Sequence, residues 1–347
     1  PTDQVNLSCL HDRGYQGRGS LIAVFDTGFP GVNLTAPFDS LRQQNRIVAT
    51  GNFVSGGSAV YHSYEHGTNV LSIIAANQAG TYVGAAAQAS FALAITENMA
   101  SETHQEELNW AAAAEWADSL GADIIQSSLS YRYFDAGQGD YTDADLDGNT
   151  AIITVAADKA ASKGILVVNS AGNDGMFTFP LSPLISPPSD GDSVLTVGAV
   201  NGAGQYSPIS SIGPTADGRV KPDVVARGAN TPFITSGGSV GYTSGTSLST
   251  PIVSGLAACL MQANPGATNM QVYQAIIRSA SRYSNPNNQY GFGLPDACKA
   301  DSLLKIITGT KASLKQPEEV RIYPTSTASV VQVSSSADNT IATVWVY

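Results

Sequence analysis

Short apolar runs alternating with helical patterns predict an α/β fold, an open, mostly parallel twisted sheet with helices on both faces. A second observation locates its working end. The first run closes on a charge, Asp26, and in sheets of this kind sites form in the crevice beyond the carboxyl ends of the strands. A third divides the chain: near residue 310 the texture changes to short β-rich pieces, predicting a main domain over 1–310 and a β-rich C-terminal segment over 311–347.

The first strand is Leu21-Ile22-Ala23-Val24-Phe25, flanked by glycines and followed by Asp26-Thr27-Gly28. Further strands are expected at 91–95, 123–127, 165–169 and 193–197, continuous apolar runs of the kind that parallel strands show when buried on both faces. Helical spacing marks 70–76, 106–120 and 150–163. In the second of these, Leu108, Ala111, Ala112, Glu115, Trp116 and Leu120 trace the stripe expected to face the core, with acids in the first turn where the helix dipole favours them. From Pro251 to Met261 the residues are small and apolar, which predicts a central helix packed on all sides, with Pro251 in its opening turn. Asn264-Pro265-Gly266 stops it, and another helix follows over 270–279. The tail pieces are 320–323, 328–333 and 340–347.

Seventeen basic against 28 acidic residues, a net charge of -11, argue against nucleic acid or an anionic membrane surface as partner. No run approaches the roughly 20 apolar residues that span a bilayer. The chain starts at Pro1 with no basic and apolar leader, so a processed or trimmed chain is expected. Cys9, Cys259 and Cys298 permit at most one intrachain disulfide. Cys259, inside a helical run, reads as a small buried hydrophobe, and the redox compartment stays open.

Ser247 lies in Gly245-Thr246-Ser247-Leu248-Ser249-Thr250-Pro251, where a glycine-rich loop gives way to the central helix. A serine hydroxyl becomes a nucleophile when a base within hydrogen-bond reach takes its proton. His66 is the best base, followed by Gly67, a residue expected to permit close approach of a substrate backbone. A buried carboxylate must then orient the imidazole, and Asp26 fits. His11, His62 and His104 sit in polar or surface-like contexts. Any one of these residues alone would be expected to make only solvent or local hydrogen bonds. The order Asp, His, Ser is that of one known convergent triad.

Val24-Phe25-Asp26-Thr27-Gly28, His66-Gly67-Thr68, Ser170-Ala171-Gly172-Asn173 and Gly245 to Pro251 resemble the four signature blocks of the subtilisin-like serine proteases, the subtilases, over roughly residues 15 to 300. The resemblance implies a serine endopeptidase acting through an acyl-enzyme, with Asp26, His66 and Ser247 as triad and Asn173 as side-chain donor of the oxyanion hole. It implies extended polypeptide substrates paired along Ser127-Ser128-Leu129-Ser130-Tyr131, with Asn169, Ser170, Ala171 and Gly172 as the opposite wall. An apolar or aromatic residue before the cleaved bond is expected, the direction of Asp174 staying open. A prosegment acting as a partner, a monomer, and a secreted or cell-surface location go with the family, and Pro188 is expected to be cis.

The chain departs from the family pattern where Ser130 replaces glycine, Asn69 replaces a second histidine, and Leu248 replaces an oxidisable methionine. No cofactor is needed for the chemistry. Asp143, Asp145 and Asp147 start an EF-hand-like string and are candidates for a structural calcium, although position twelve is Thr154 and capping of the following helix explains the same residues. Residues 131–134, 143–148 and 213–223 are most similar to secreted Bacteroidetes subtilases. Val320-Arg321-Ile322-Tyr323-Pro324-Thr325-Ser326 resembles the opening of a sorting domain for export, cut short at Tyr347. The rival readings are a catalytically inactive binding protein on the same scaffold and a serine esterase, whose Gly-x-Ser-x-Gly and Ser, Asp, His order are not found around Ser247.

Overall fold

The computed structural model describes residues 2–313, 321–323, 330–334 and 341–345, with side chains over 2–307. In chain order come α1 (Ser8–His11), β1 (Leu21–Asp26), α2 (Asp39–Gln43), β2 (Ile47–Asn52), α3 (His66–Ala75), the small hairpin β3 (Asn77–Gln78) and β4 (Tyr82–Val83), and β5 (Ser90–Ile95). Then follow α4 (His104–Ser119), β6 (Ile124–Ser127), α5 (Ile152–Ser162), β7 (Leu166–Ser170), β8 (Val194–Val200), β9 (Val224–Arg227), the hairpin β10 (Thr231–Ile234) and β11 (Val240–Thr243), α6 (Thr246–Ala263), α7 (Asn269–Ser279) and α8 (Ala297–Ser313).

One parallel sheet runs in the order β2-β5-β1-β6-β7-β8-β9. β5 pairs with one side of β1 and β6 with the other, so the winding reverses at β1 and opens a crevice where that strand ends, at Asp26. The expected α/β architecture is observed. Ile22 and Val24 join the core under α3, α6 and α7, whereas Ala23 and Phe25 alternate to the other face, against Trp110 and Ala113 of α4 and Ala157 of α5.

The stripe expected on α4 is corrected. Its buried face is Trp110, Ala113, Ala114 and Ala117, while Leu108, Ala112 and Leu120 are exposed. The Trp110 ring meets Phe25 edge-on at 5.4 Å, and its Nε1 donates to Ser127 Oγ at 3.1 Å. Burying one indole with a satisfied N–H, beside alanines that bring the helix close to the sheet, outweighs burying two leucines on a wider helix face. β2 and β9 were not anticipated: β2 is a half-exposed edge of mixed polarity, and β9 has only four residues.

α6 also begins earlier than expected, and Pro251 is its sixth residue, beyond the opening turn. Proline has no N–H for the carbonyl four residues back. That carbonyl belongs to Ser247, and it accepts instead from Ser128 Oγ at 3.0 Å. Nearly every residue of α6 is buried. A Cβ on Gly255 would lie 2.3 Å from Cβ of Ala85, so glycine is what lets this helix touch its neighbour. Gly255→Val should cost about 1–3 kcal/mol through overpacking, read as a lower thermal midpoint; an unchanged midpoint would show that the contact yields freely.

Cys9 and Cys298 form a disulfide across 289 residues, and Cys259 is free and buried, its thiol pushed up to about 12 by desolvation. The Pro187–Pro188 bond is cis, as expected. No helix among the described residues is long and apolar enough to cross a membrane. The chain divides into compact units at Pro1–Leu304 and Lys305–Tyr347. In the second, β12 (Arg321–Tyr323), β13 (Val330–Ser334) and β14 (Ile341–Trp345) form an antiparallel sheet in that order. The side chains on which the sorting-domain reading rests lie outside the described residues.

Candidate active site

Asp26 ends β1 with no exposure to solvent. Its Oδ1 accepts from the N–H of Thr27 at 2.7 Å, from Thr27 Oγ1 at 3.2 Å and from His66 Nδ1 at 2.8 Å, while its Oδ2 is buried and unpartnered among the described residues. With Nδ1 committed as a donor to a carboxylate, Nε2 of His66 is left as the basic nitrogen. Burial works to lower the imidazole pKa, but the charge and hydrogen bond of Asp26 outweigh it and hold it above 6.5.

Gly67 has a packing purpose that the sequence did not reveal. A Cβ there would lie 2.5 Å from the Gly28 carbonyl oxygen and 2.9 Å from Asp26 Cβ, so the glycine seats the start of α3 on the end of β1. The close seating lets His66 reach Asp26.

Ser247 lies at the start of α6 and is 8% exposed. Its Oγ donates to the Ser128 carbonyl oxygen at 3.4 Å, not to His66, and Ser128 follows directly on β6, the neighbour of β1. The backbone N–H of Ser247 is unengaged among the described residues, at the positive end of an 18-residue helix. Asn173 stands beside it. Its Oδ1 accepts from Thr246 N at 2.9 Å and from Thr246 Oγ1 at 3.1 Å, which fixes the amide and leaves Nδ2 as the free donor. A Cβ on Gly245 would lie 3.8 Å from both that Nδ2 and the Ser247 nitrogen, so the two donors lie near one another.

Ser128 and Leu129 are buried and Ser130 is exposed, so the side chain that replaces the usual glycine turns to solvent. Neither backbone polar group of Ser130 is engaged among the described residues, whereas the N–H of Tyr131 is taken by Pro187 at 2.9 Å. Across from them Ser170, Ala171 and Gly172 are buried. Asn169 is a brace, its Nδ2 donating to the carbonyls of Leu129 and Ser170 and to Ser189 Oγ at 2.9–3.0 Å. Asp174 turns to Ser186, whose Oγ donates to it at 3.1 Å, and desolvation raises its pKa. Asn69 is partly buried with its Oδ1 unpartnered among the described residues, and Leu248 is buried.

The three calcium candidates are each engaged with protein donors. Asp143 pairs with Arg132, Asp145 accepts from Thr142 N and Oγ1 at 2.7 and 2.6 Å, and Asp147 accepts from the N–H groups of Asn149 and Thr150 at 2.8 Å. Among the described residues no group of three His, Cys, Asp or Glu side chains is arranged to hold a metal.

Thr27, Thr246 and Glu97 were missed as contributors to the site. The two threonines were visible in the quoted blocks, each beside a site residue. Glu97 had no signal, since its carboxyl, pushed up to about 8 by burial and held by Thr96 and Tyr131, nears His66 only through the pairing of β5 with β1.

The sequence matches the subtilase family over residues 17–293. Subtilisin of Bacillus pumilus is 32% identical over 294 residues, covering 84% of this chain and 94% of that protein. Subtilisin E of Bacillus subtilis (strain 168) is 32% identical over 294 residues, covering 84% of this chain and 68% of that protein. Among solved structures, MycP1 with the N-terminal propeptide removed superposes with a TM-score of 0.66 at 25% identity, over 86% of this chain and 95% of that one. The MycP3 protease from the type VII (ESX-3) secretion system gives 0.70 at 22% identity, over 86% and 87%, a likeness of fold.

Proposed function

This chain belongs to the subtilase family and is a serine endopeptidase, and from that premise we propose that Asp26, His66 and Ser247 carry its chemistry through an acyl-enzyme. The observation that supports this most is the 2.8 Å bond from His66 Nδ1 to a fully buried Asp26, which leaves Nε2 as base in the crevice that Ser247 borders. Activation requires the Ser247 side chain to rotate away from the Ser128 carbonyl so that its hydroxyl reaches Nε2. His66 then takes the proton as Ser247 attacks the peptide carbonyl, Asp26 stabilises the imidazolium, and the imidazolium returns the proton to the leaving amine. Water attacks the resulting ester by the same route in reverse.

The negative oxygen of the tetrahedral intermediate is held by the Ser247 N–H and Asn173 Nδ2. Asn173→Ala is expected to lower kcat about 10²–10³-fold, the range known for loss of such a donor in a subtilisin, with KM little changed. A loss of less than three-fold would remove Asn173 from this role.

The acid limb of kcat/KM should lie above pH 6.5, because His66 is a base only when neutral and its pKa is raised. The stability sign is the opposite: the raised pKa stabilises the fold fully below 6.5, and this contribution fades as pH rises through the folded-state value. A limb below 6.5 on a short peptide amide would contradict the Asp26 coupling.

The exposed, unengaged backbone of Ser130 supports pairing of an extended substrate along 128–130. The small residues Ser170, Ala171 and Gly172 support an apolar or aromatic residue before the scissile bond. The disulfide supports an oxidising, extracellular location.

A further inference from the structure

The loop between Gly175 and Ser182 carries four apolar side chains into solvent: Met176 is 65% exposed, Phe177 38%, Phe179 95% and Leu181 43%. No other stretch of six described residues exposes four large apolar side chains, and clustered exposure of this kind marks an interaction surface where scattered exposure does not.

The loop is anchored at both ends. At its root, the Gly175 N–H bonds the Ile209 carbonyl at 3.2 Å, and a Cβ on Gly175 would lie 2.1 Å from the Ser210 carbonyl oxygen. At its far end the Ser182 N–H bonds Tyr133 Oη at 2.9 Å, the Phe177 ring lies 6.3 Å from that of Tyr133, and an Arg132 NH1 reaches the Leu184 carbonyl at 3.4 Å. Internal turns, from Phe177 N–H to Asp174 O at 2.7 Å and from Leu181 N–H to Thr178 O at 3.0 Å, stiffen it.

One end of the loop lies close in sequence to one proposed wall of the groove, and the other end bonds a residue close in sequence to the other wall. The root continues directly from Asn173, and Tyr133 continues the edge that runs from Ser128 through Ser130. A polypeptide lying in that groove would therefore meet the loop as an apolar continuation of it. A net charge of -11 disfavours an anionic membrane as the alternative occupant.

We propose that the loop at 176–181 is a docking surface that holds an apolar segment of the polypeptide substrate beside the groove, selecting chains that expose hydrophobic stretches. This rests on the catalytic reading for its location, but its test does not depend on turnover. Two fluorescent peptides share one cleavable core, one flanked on each side by Leu, Val and Phe, the other by Ser and Gly. Their binding is measured by anisotropy to Ser247→Ala protein with and without Phe179→Ser and Leu181→Ser, both fully outside the catalytic machinery. The apolar-flanked peptide should bind at least ten-fold more tightly, and the loop substitutions should cut that advantage to within two-fold. In the active protein the same substitutions should leave kcat/KM for the polar-flanked peptide unchanged.

An advantage that is absent, or that survives the substitutions, overturns the proposal. So does a loop effect confined to self-association in sedimentation or to binding of phosphatidylcholine vesicles, which would name a second copy or a lipid surface as occupant. Cleavage that persists in Ser247→Ala would instead remove the catalytic reading and leave the binding comparison standing.

Discussion

Ser247→Ala should lower kcat on a peptide amide by a factor on the order of 10⁶, the size known for the same removal in a subtilisin. The large number follows from the geometry. On the proposed reading Ser247 Oγ is the hydroxyl that His66 deprotonates, with the Ser247 N–H and Asn173 Nδ2 as donors to the charge that develops. Without it, only binding and polarisation of the carbonyl remain, and water must attack directly. The fold should be untouched, since the carbonyl of residue 247, which takes the Ser128 hydroxyl, is unaltered. Casein digestion and hydrolysis of a short peptide, with thermal midpoints run in parallel, test it. Residual activity above 1% with an unchanged midpoint would mean another nucleophile, and failure of organofluorophosphonate labelling in the unsubstituted protein would favour the inactive binding protein.

Asp26→Asn should cost about 10⁴-fold in kcat, the size known for this change in a serine protease of another fold. Oδ1 of Asp26 serves both Thr27 and His66. An asparagine that keeps an oxygen there places its NH₂ at the buried Oδ2 position, which offers no partner among the described residues. Turned the other way, its NH₂ confronts the Thr27 N–H and holds the imidazole in the wrong tautomer. Either orientation removes the charge that stabilises the imidazolium, so the acid limb of kcat/KM should also move down toward 6.5. A variant with more than a tenth of normal kcat would show that Asp26 merely supports the strand end.

Much of the fold was legible because parallel strands buried on both faces must be apolar throughout, and β1, β5, β6, β7 and β8 announce themselves so. β2 did not, because an edge strand half in water carries a mixed sequence, and the stripe on α4 misled because leucine spacing was given more weight than one indole with a partner. The residues proposed for the site stood out in the sequence through the glycine and threonine blocks around them. Their supports were less so: Thr246 orients Asn173 across 73 residues, and Asn169 ties the two walls of the groove across 40.

Family and fold class were written in the order of residues, because each requires only residue types in local patterns, and the same patterns single out the proposed reactive groups. Whether Oδ1 of Asp26 is shared, which amide atom of Asn173 is free, where Gly67 presses and which apolar loop stands out in water were decided by packing alone. Those facts depend on atoms tens to hundreds of residues apart, and no local pattern encodes a distance.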